Sequence, residues 1–255
     1  MISLPLIGYV MKAALRDKLF IALLIMIVCG TSLSIFIGSS AVVESRQFAL
    51  VFAASGLRFA SIIGLILFVV FYIRRAFDTR EVDFLLSRPL SRPAFILSHS
   101  LAFTLLAIIV AIPVCLAVLW VAPERWSYGA FLWGASLIVE FIIMANAAFF
   151  FSMVIASAVG GAMSILGLYV LSRLMGQLLG IAAAGVSLKG GELLVNVMHV
   201  ISLIVPRLDL MAQTTWLVYG AAGDHVNLAF IILQGIIYTS LLVTAALVDL
   251  VRRQF

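Results

Sequence analysis

Charged residues are scarce in this chain of 255 residues: Asp, Glu, Lys and Arg make up 11% of it, whereas hydrophobic residues make up 65%. A soluble domain carries about 25% charged and about 45–50% apolar residues. The deficit excludes a soluble enzyme, a disordered chain and a nucleic-acid-binding protein, although the pI is near 9.6. With a mean hydropathy of +1.26, the composition is that of a polytopic membrane protein.

Cysteine, lysine and histidine are also rare, and each shortage excludes a kind of site. Cys29 and Cys115 lie inside apolar runs, which predicts buried reduced thiols and no disulfide framework. None of the 3 lysines stands in a G-x-x-x-x-G-K-[ST] loop, so this chain has no P-loop with which to bind ATP. The 3 histidines, His99, His199 and His225, fall in no zinc-ligand spacing and are expected to be ordinary interfacial residues, and no nucleophile has a base at the same depth. We therefore predict no metal site, no catalytic residue and no enzyme activity in this chain.

Six apolar runs are long enough to cross a membrane, for which a helix needs about 20 residues. They are residues 19–40, 48–73, 95–120, 130–157, 162–184 and 227–248. The runs lack the alternation of apolar and polar residues found in membrane β-barrels, so helices are expected. The sequence predicts an all-α membrane protein, in which residues 1–255 form a single transmembrane domain with six transmembrane helices.

The basic residues predict the orientation of these helices. Ten of the 16 Lys and Arg residues precede the first run, separate the second from the third, or follow the last. The positive-inside rule therefore predicts that the N- and C-termini are both cytoplasmic. At the opposite side, an aromatic group near the junction of the third and fourth runs predicts an interfacial belt. It consists of Trp120, Trp126, Tyr128 and Trp133.

Two segments outside the six runs are predicted to be helical without crossing the membrane. Residues 4–18 are short and charged; Ile7, Met11, Ala14 and Leu15 share one side of the helix, whereas Lys12 and Arg16 lie on another. This N-terminal helix should lie along the cytoplasmic interface with its basic face toward anionic lipid headgroups. The long outer segment, residues 185–226, has apolar pieces interrupted at Pro206, which predicts short interfacial or re-entrant helices.

The cytoplasmic loop, residues 74–94, carries the densest set of polar residues. Its apolar and acidic residues recur at helical spacing: Phe77, Glu81, Phe84 and Leu85. This spacing predicts a short amphipathic helix that ends before Pro89 and suits docking to another protein. The alternative is a solvated loop that its arginines hold on the cytoplasmic side. Ser91 is predicted to cap the third transmembrane helix, with Pro93 in the first turn.

Three charged residues lie inside the predicted spans: Arg58, Glu140 and Arg173. At 1.5 Å per residue they lie about 18–25 Å above the cytoplasmic ends of their helices, so they can meet. One hypothesis pairs Glu140 with Arg58 or Arg173 beside a translocation path. The other has Arg58 snorkelling outward and Glu140–Arg173 as a purely structural pair. Elsewhere in the fifth span, Gly176 and Gly180 have the G-x-x-x-G spacing of closely packed helices.

The cytoplasmic loop also resembles a known family. It reads Asp78-Thr79-Arg80-Glu81, followed by Leu85-Leu86-Ser87-Arg88-Pro89-Leu90-Ser91-Arg92. This pattern is similar to the signature loop of permease subunits of export-type (type-2) ABC transporters, and so are the six-span layout and the long outer segment. The chain departs from the family at Val82-Asp83-Phe84, where small residues are frequent, and at Ser98-His99, where Gly-Lys is frequent.

The resemblance implies a permease subunit of an ATP-driven exporter in the bacterial cytoplasmic (inner) membrane. Such a chain holds no cofactor; ATP and Mg are bound by a separate cytoplasmic ABC ATPase subunit. The expected partners also include a second permease copy or paralogue and membrane lipids, but no nucleic acid. The residues implied in ATPase coupling are Phe77, Arg80, Glu81, Asp83, Phe84, Leu85 and Arg88. The alternative is a non-transporting membrane scaffold or assembly factor that recruits a soluble partner through residues 74–94.

Overall fold

The computed structural model describes residues 2–40, 44–79, 91–122, 127–184, 191–221 and 226–252. Every regular element in these ranges is a helix. In chain order they are α1 (Leu4–Arg16), α2 (Leu19–Ser39), α3 (Ser45–Asp78), α4 (Arg92–Val121), α5 (Tyr128–Val154), α6 (Ala158–Ala184), α7 (Gly191–Ile204), a 3₁₀ turn (Leu208–Leu210), α8 (Thr215–Val218) and α9 (Leu228–Arg252).

Six of these helices are long and apolar enough to cross a membrane: α2, α3, α4, α5, α6 and α9. Each corresponds to one predicted span, so the expectation of an all-α protein with six candidate transmembrane helices is confirmed. Between α6 and α9 the chain forms a further pair of apolar pieces, Val195–Ile204 and Leu208–Val218, bent by 76°. The predicted interruption at Pro206 falls inside this bend.

Helix α5 is the centre of the bundle. In the most apolar stretch of α5, 67% of the residues are buried, compared with 22% in the corresponding stretches of α2 and α9. It packs against α3, α4, α6 and α9. Because lipid is as apolar as leucine, such helices associate through close packing rather than through exclusion of water. Gly235 of α9 illustrates this, since a Cβ there would lie 2.5 Å from Cγ1 of Val139 on α5.

Helix α1 lies beside one end of the bundle. The backbone N–H of Ser3 donates to Oγ of Ser98 on α4 at 2.8 Å, which ties the two helices together. The buried face of α1 consists of Leu6, Ile7, Val10 and Ala14. Leu15 was expected on the same apolar side but is 61% exposed, because the packed face is centred one residue earlier in the turn.

Two boundaries differ from the predicted spans. The turn between α5 and α6 lies at residues 155–157, because Ser157 caps α6 through its hydroxyl, which accepts from the Gly160 N–H at 3.2 Å. At the other boundary α3 continues five residues beyond the predicted end at 73, as far as Asp78. An ion pair of 3.3 Å between Arg74 and Asp78, one turn apart, supports this extension.

The start of α4 agrees with the sequence. The side chain of Ser91 accepts a hydrogen bond from the Ala94 N–H at 3.4 Å, and Pro93 lies in the first turn. The predicted cap is therefore confirmed. Nη1 of Arg92 donates to the carbonyl oxygen of Leu250 at 2.9 Å, so the first turn of α4 is joined to the last turns of α9.

Some side chains lie in other surroundings than expected. Trp133 was assigned to an interfacial belt, but it is fully buried, because five residues turn a helix by about 140° from the exposed Tyr128. His99, expected to be interfacial, is buried against Phe95, with ring centroids 4.2 Å apart. Cys29 is exposed rather than buried; both cysteines are free thiols.

Candidate functional site

The three charged residues of the predicted spans face the interior of the bundle. Glu140, on the central helix α5, is fully buried, and Arg58 on α3 is 8% exposed. Arg173 on α6 has a side-chain exposure of 20%. Together they form what we call the charge cluster, with two cations and one anion contributed by three different helices.

The structure brings Glu140 and Arg173 together, a pairing that both hypotheses allow. Nη1 of Arg173 lies 3.6 Å from Oε2 of Glu140, which is close enough for an ion pair but long for a hydrogen bond. Within the described residues neither carboxylate oxygen of Glu140 accepts a hydrogen bond. Tyr169 lies within electrostatic range of the whole cluster, without the geometry of a hydrogen bond to Glu140.

The main hydrogen bonds of Arg173 go to the backbone rather than to the carboxylate. Nη1 donates to the carbonyl oxygen of Leu208 and, at 2.7 Å, to that of Met211. Both carbonyls belong to residues 205–213, which we call the clamped segment. Arg173 therefore binds the point at which the apolar pair between α6 and α9 is bent.

Arg58 binds the same segment from α3. Its Nη1 donates to the carbonyl oxygen of Ala212 at 2.6 Å. This contact contradicts the alternative in which Arg58 snorkels outward, because a free backbone carbonyl in the interior supplies a nearer acceptor than the surface does. Arg58 makes no ion pair with Glu140 within the described residues.

Both backbone polar groups of Ala212, the carbonyl and the N–H, are hydrogen-bonded to side chains. Its N–H donates to Oγ of Ser136 on α5 at 2.8 Å, and that hydroxyl in turn donates to the Trp133 carbonyl at 2.9 Å. Ala212 has a φ of 44°, a left-handed conformation that is costly for a residue with a Cβ. Two flanking hydrogen bonds hold this unfavourable backbone in place.

The physical need for these contacts comes from Pro206. Proline ends the helix, and within the described residues no backbone N–H bonds to the Met211 and Ala212 carbonyls that follow it, whereas the Leu208 carbonyl also accepts from the Met211 N–H at 3.0 Å. In an apolar interior each unpaired group costs several kcal/mol, so broken backbone persists only where protein supplies donors. At the end of α7 the donor is the Tyr238 hydroxyl of α9, 3.0 Å from the Leu203 and Val205 carbonyl oxygens.

Of the two glycines predicted to allow close packing, Gly176 lies at a close contact and Gly180 does not. A Cβ on Gly176 would lie 2.7 Å from Oδ2 of Asp209, whereas one on Gly180 would meet nothing within 4 Å. Asp209 is fixed by Arg207, whose Nε and Nη2 donate to its two carboxylate oxygens at 2.9 and 2.8 Å. Gly176 therefore lets α6 approach the clamped segment.

Sequence reasoning found the charged residues but missed their main partners. Backbone carbonyls carry no residue-specific signal, so Leu208, Met211 and Ala212 could not be recognised as acceptors. The available sign was that Pro206, which breaks a helix, occurs in a chain with two arginines but one glutamate at membrane depth. Nothing distinguished Ser136 from the other serines of the apolar runs.

Phe77, the coupling residue that the described ranges include, lies at the opposite end of the bundle, where α1, the end of α3 and the start of α4 meet. Phe77 lies in the last turn of α3, and the guanidinium of Arg74 is 5.6 Å from its ring centroid. Lys12 and Arg16 are exposed on α1. The other coupling residues lie outside the described ranges: Arg80, Glu81, Asp83, Phe84, Leu85 and Arg88.

No protein-family model matches the chain, and no curated protein matches it. In the part of the chain that the structure describes, no group of three or more His, Cys, Asp and Glu residues is arranged to hold a metal ion. The charge cluster is built to hold broken backbone at a fixed place between helices.

Proposed function

We propose that the chain is the transmembrane permease subunit of an ATP-driven ABC exporter, which moves cargo across a membrane with energy from a separate ATPase subunit. The observation that carries the proposal is the clamped segment: a helix break inside the bundle, anchored by Arg58, Ser136 and Arg173 from three helices. Discontinuous transmembrane helices form the substrate sites of secondary transporters, so a broken helix held inside the bundle supports a transport role.

The connection between the two ends of the molecule supports a coupled mechanism. Helix α3 runs without interruption from Arg58 to Asp78, the residue at which the ABC-permease pattern begins. That stretch is about 30 Å long, so a displacement at the loop is carried by one rigid element to the clamped segment. An ATPase that docks on residues 74–94 would shift α3 as a rigid body and move Arg58 relative to Ala212.

The test is to identify what copurifies with the tagged chain in mild detergent. We expect an ATP-hydrolysing subunit at near-equal stoichiometry that is lost with Phe84→Asp. Val251→Asp is the matched control, because it introduces the same charge at an exposed apolar position near the same end of the bundle. Recovery of a partner that is not an ATPase would favour the scaffold alternative and contradict the transporter. A chain that stays folded and captures no ATPase would also contradict it.

A second test concerns the cytoplasmic placement of the α1 end. In a background with Cys29 and Cys115 replaced by serine, Tyr219→Cys should react with a membrane-impermeant maleimide added to intact cells. Lys12→Cys should react only after the cells are permeabilised. Both positions are exposed and lie at opposite ends of the bundle. The reverse labelling pattern would overturn the orientation and, with it, ATPase docking at residues 74–94.

A further inference from the structure

A cleft lies between α1 and the last turns of α3, away from the charge cluster. Its volume is about 710 Å³. Tyr9, Lys12 and Arg16 of α1 form one wall, and Tyr72 and Arg75 of α3 form the other. We call it the basic cleft.

The two walls repeat the same arrangement. Tyr9, Lys12 and Arg16 are spaced i, i+3 and i+7, so they share one face of α1. Tyr72 and Arg75 are spaced i and i+3 on α3. Each helix therefore presents a tyrosine with a basic residue one turn later. The Tyr72 ring is fixed from behind by Phe103, with centroids 6.0 Å apart.

The cleft has more positive charge than its own anion balances. Asp17 is its acidic residue, and its Oδ1 lies 3.8 Å from Nη1 of Arg75, a long contact with both side chains largely exposed. Within the described residues Lys12 and Arg16 make no ion pair. Among the described residues that line the cleft, three cations and one anion leave a formal excess of two positive charges for an anionic ligand.

The rim of the cleft favours a lipid over a soluble anion. Leu15, which lines the cleft, is 61% exposed, and Tyr9 is half exposed. The apolar α2 begins at Leu19, only three residues after α1 ends. A ligand with a phosphate among Lys12, Arg16 and Arg75 can thus lay apolar chains along Leu15. We propose that the basic cleft binds the headgroup of an anionic phospholipid.

The experiment measures lipid retention by the purified full-length chain. The chain is reconstituted in phosphatidylcholine nanodiscs containing phosphatidylglycerol, and bound lipids are counted by native mass spectrometry after release into detergent. Each basic residue near an anionic headgroup contributes about fivefold in affinity, so Lys12→Gln with Arg16→Gln should weaken phosphatidylglycerol retention about 25-fold. The charge-conserving pair Lys12→Arg with Arg16→Lys should restore it.

A matched control separates a site from general surface charge. Lys18→Gln with Arg252→Gln removes the same two charges from exposed positions at the same end that do not line the cleft. The control should retain phosphatidylglycerol within about twofold of the unmodified chain, since it leaves all the cleft's cations in place. Equal losses in the two double variants would overturn the proposal, because binding would then follow net charge. Displacement of the lipid by inorganic phosphate alone would overturn its assignment to a lipid.

Discussion

Arg173 and Arg75 carry the same guanidinium group in opposite surroundings. The side chain of Arg173 extends from α6 toward α5 and the clamped segment. Its Nη1 contacts two carbonyl oxygens and a carboxylate there. Arg75 has a side chain that is 73% exposed, and in the part of the chain that the structure describes it makes a single long ion pair. A largely enclosed guanidinium is committed to the groups that fix it, because leaving them unpaired is costly. An exposed one keeps its donors available for a ligand.

The comparison separates residues that hold the structure from residues that are free to bind. In the charge cluster the donors satisfy backbone carbonyls of the irregular segment that follows Pro206, so they contribute to stability. In the basic cleft the donors face outward and contribute little to stability. Substitutions in the two regions should therefore have effects of different size and kind.

Loss of Arg173 should have the largest effect. Arg173→Met removes the donor for the Leu208 and Met211 carbonyls and leaves Glu140 buried without a counter-ion. We expect the free energy of unfolding to fall by about 3–5 kcal/mol, measured by denaturant titration in detergent micelles. Arg46→Met, an exposed arginine on α3, should change it by less than about 0.5 kcal/mol. Similar changes for the two variants would contradict the clamp.

Neutralising Glu140 should have a smaller effect. Glu140→Gln keeps the shape of the side chain, and Arg173 keeps its carbonyl acceptors, so we expect a loss of about 1–2 kcal/mol. The same titration, carried out on Glu140→Gln with Arg173→Met, measures the coupling between them. If the double variant regained full stability, the pair would serve only to balance charge, and the backbone contacts of Arg173 would carry no weight.

The two glycines of α6 should differ in their response to alanine. In Gly176→Ala the new methyl group meets Asp209, which Arg207 prevents from moving freely, so we expect a loss of about 1–2 kcal/mol. Gly180→Ala meets nothing within 4 Å and should leave stability unchanged or slightly raised, because alanine favours helix. Thermal unfolding of the two variants side by side tests this. Equal shifts would show that α6 does not pack tightly on the clamped segment.

The smallest change in stability is expected in the basic cleft. Arg75→Gln breaks only an exposed pair of 3.8 Å, so the free energy of unfolding should change by less than about 0.5 kcal/mol. Its phosphatidylglycerol retention should nevertheless weaken about fivefold. A large loss of stability in this variant would mean that Arg75 belongs to the structural framework, and the contrast with Arg173 would fail.

Much of the fold follows from local patterns in the sequence. The six helices follow from apolar runs, since a helix in lipid must satisfy its own backbone groups whatever its neighbours are. The cap at Ser91 and the interruption at Pro206 are also local, because they depend on one side chain and the adjacent peptide units. The turn at residues 155–157 was misplaced because an apolar run continues across it and only the Ser157 cap marks it.

The side chains that face the bundle were harder to predict. Helices with apolar residues all round show no clear buried face, so the sequence could not place Trp133 in the core or Cys29 on the surface. His99 was misjudged for the same reason, since its position near a helix end gave no sign of the aromatic rings around it.

By itself the sequence determined that the chain is a bundle of membrane helices with three charges at a common depth and a break before the last helix. These properties depend on residue type and spacing along the chain. Only the tertiary structure decided that Arg58 and Arg173 bind the carbonyls of the clamped segment, and that α1 and α3 enclose the basic cleft. Carbonyl groups are the same in every residue, so which of them an arginine reaches depends on how the helices pack.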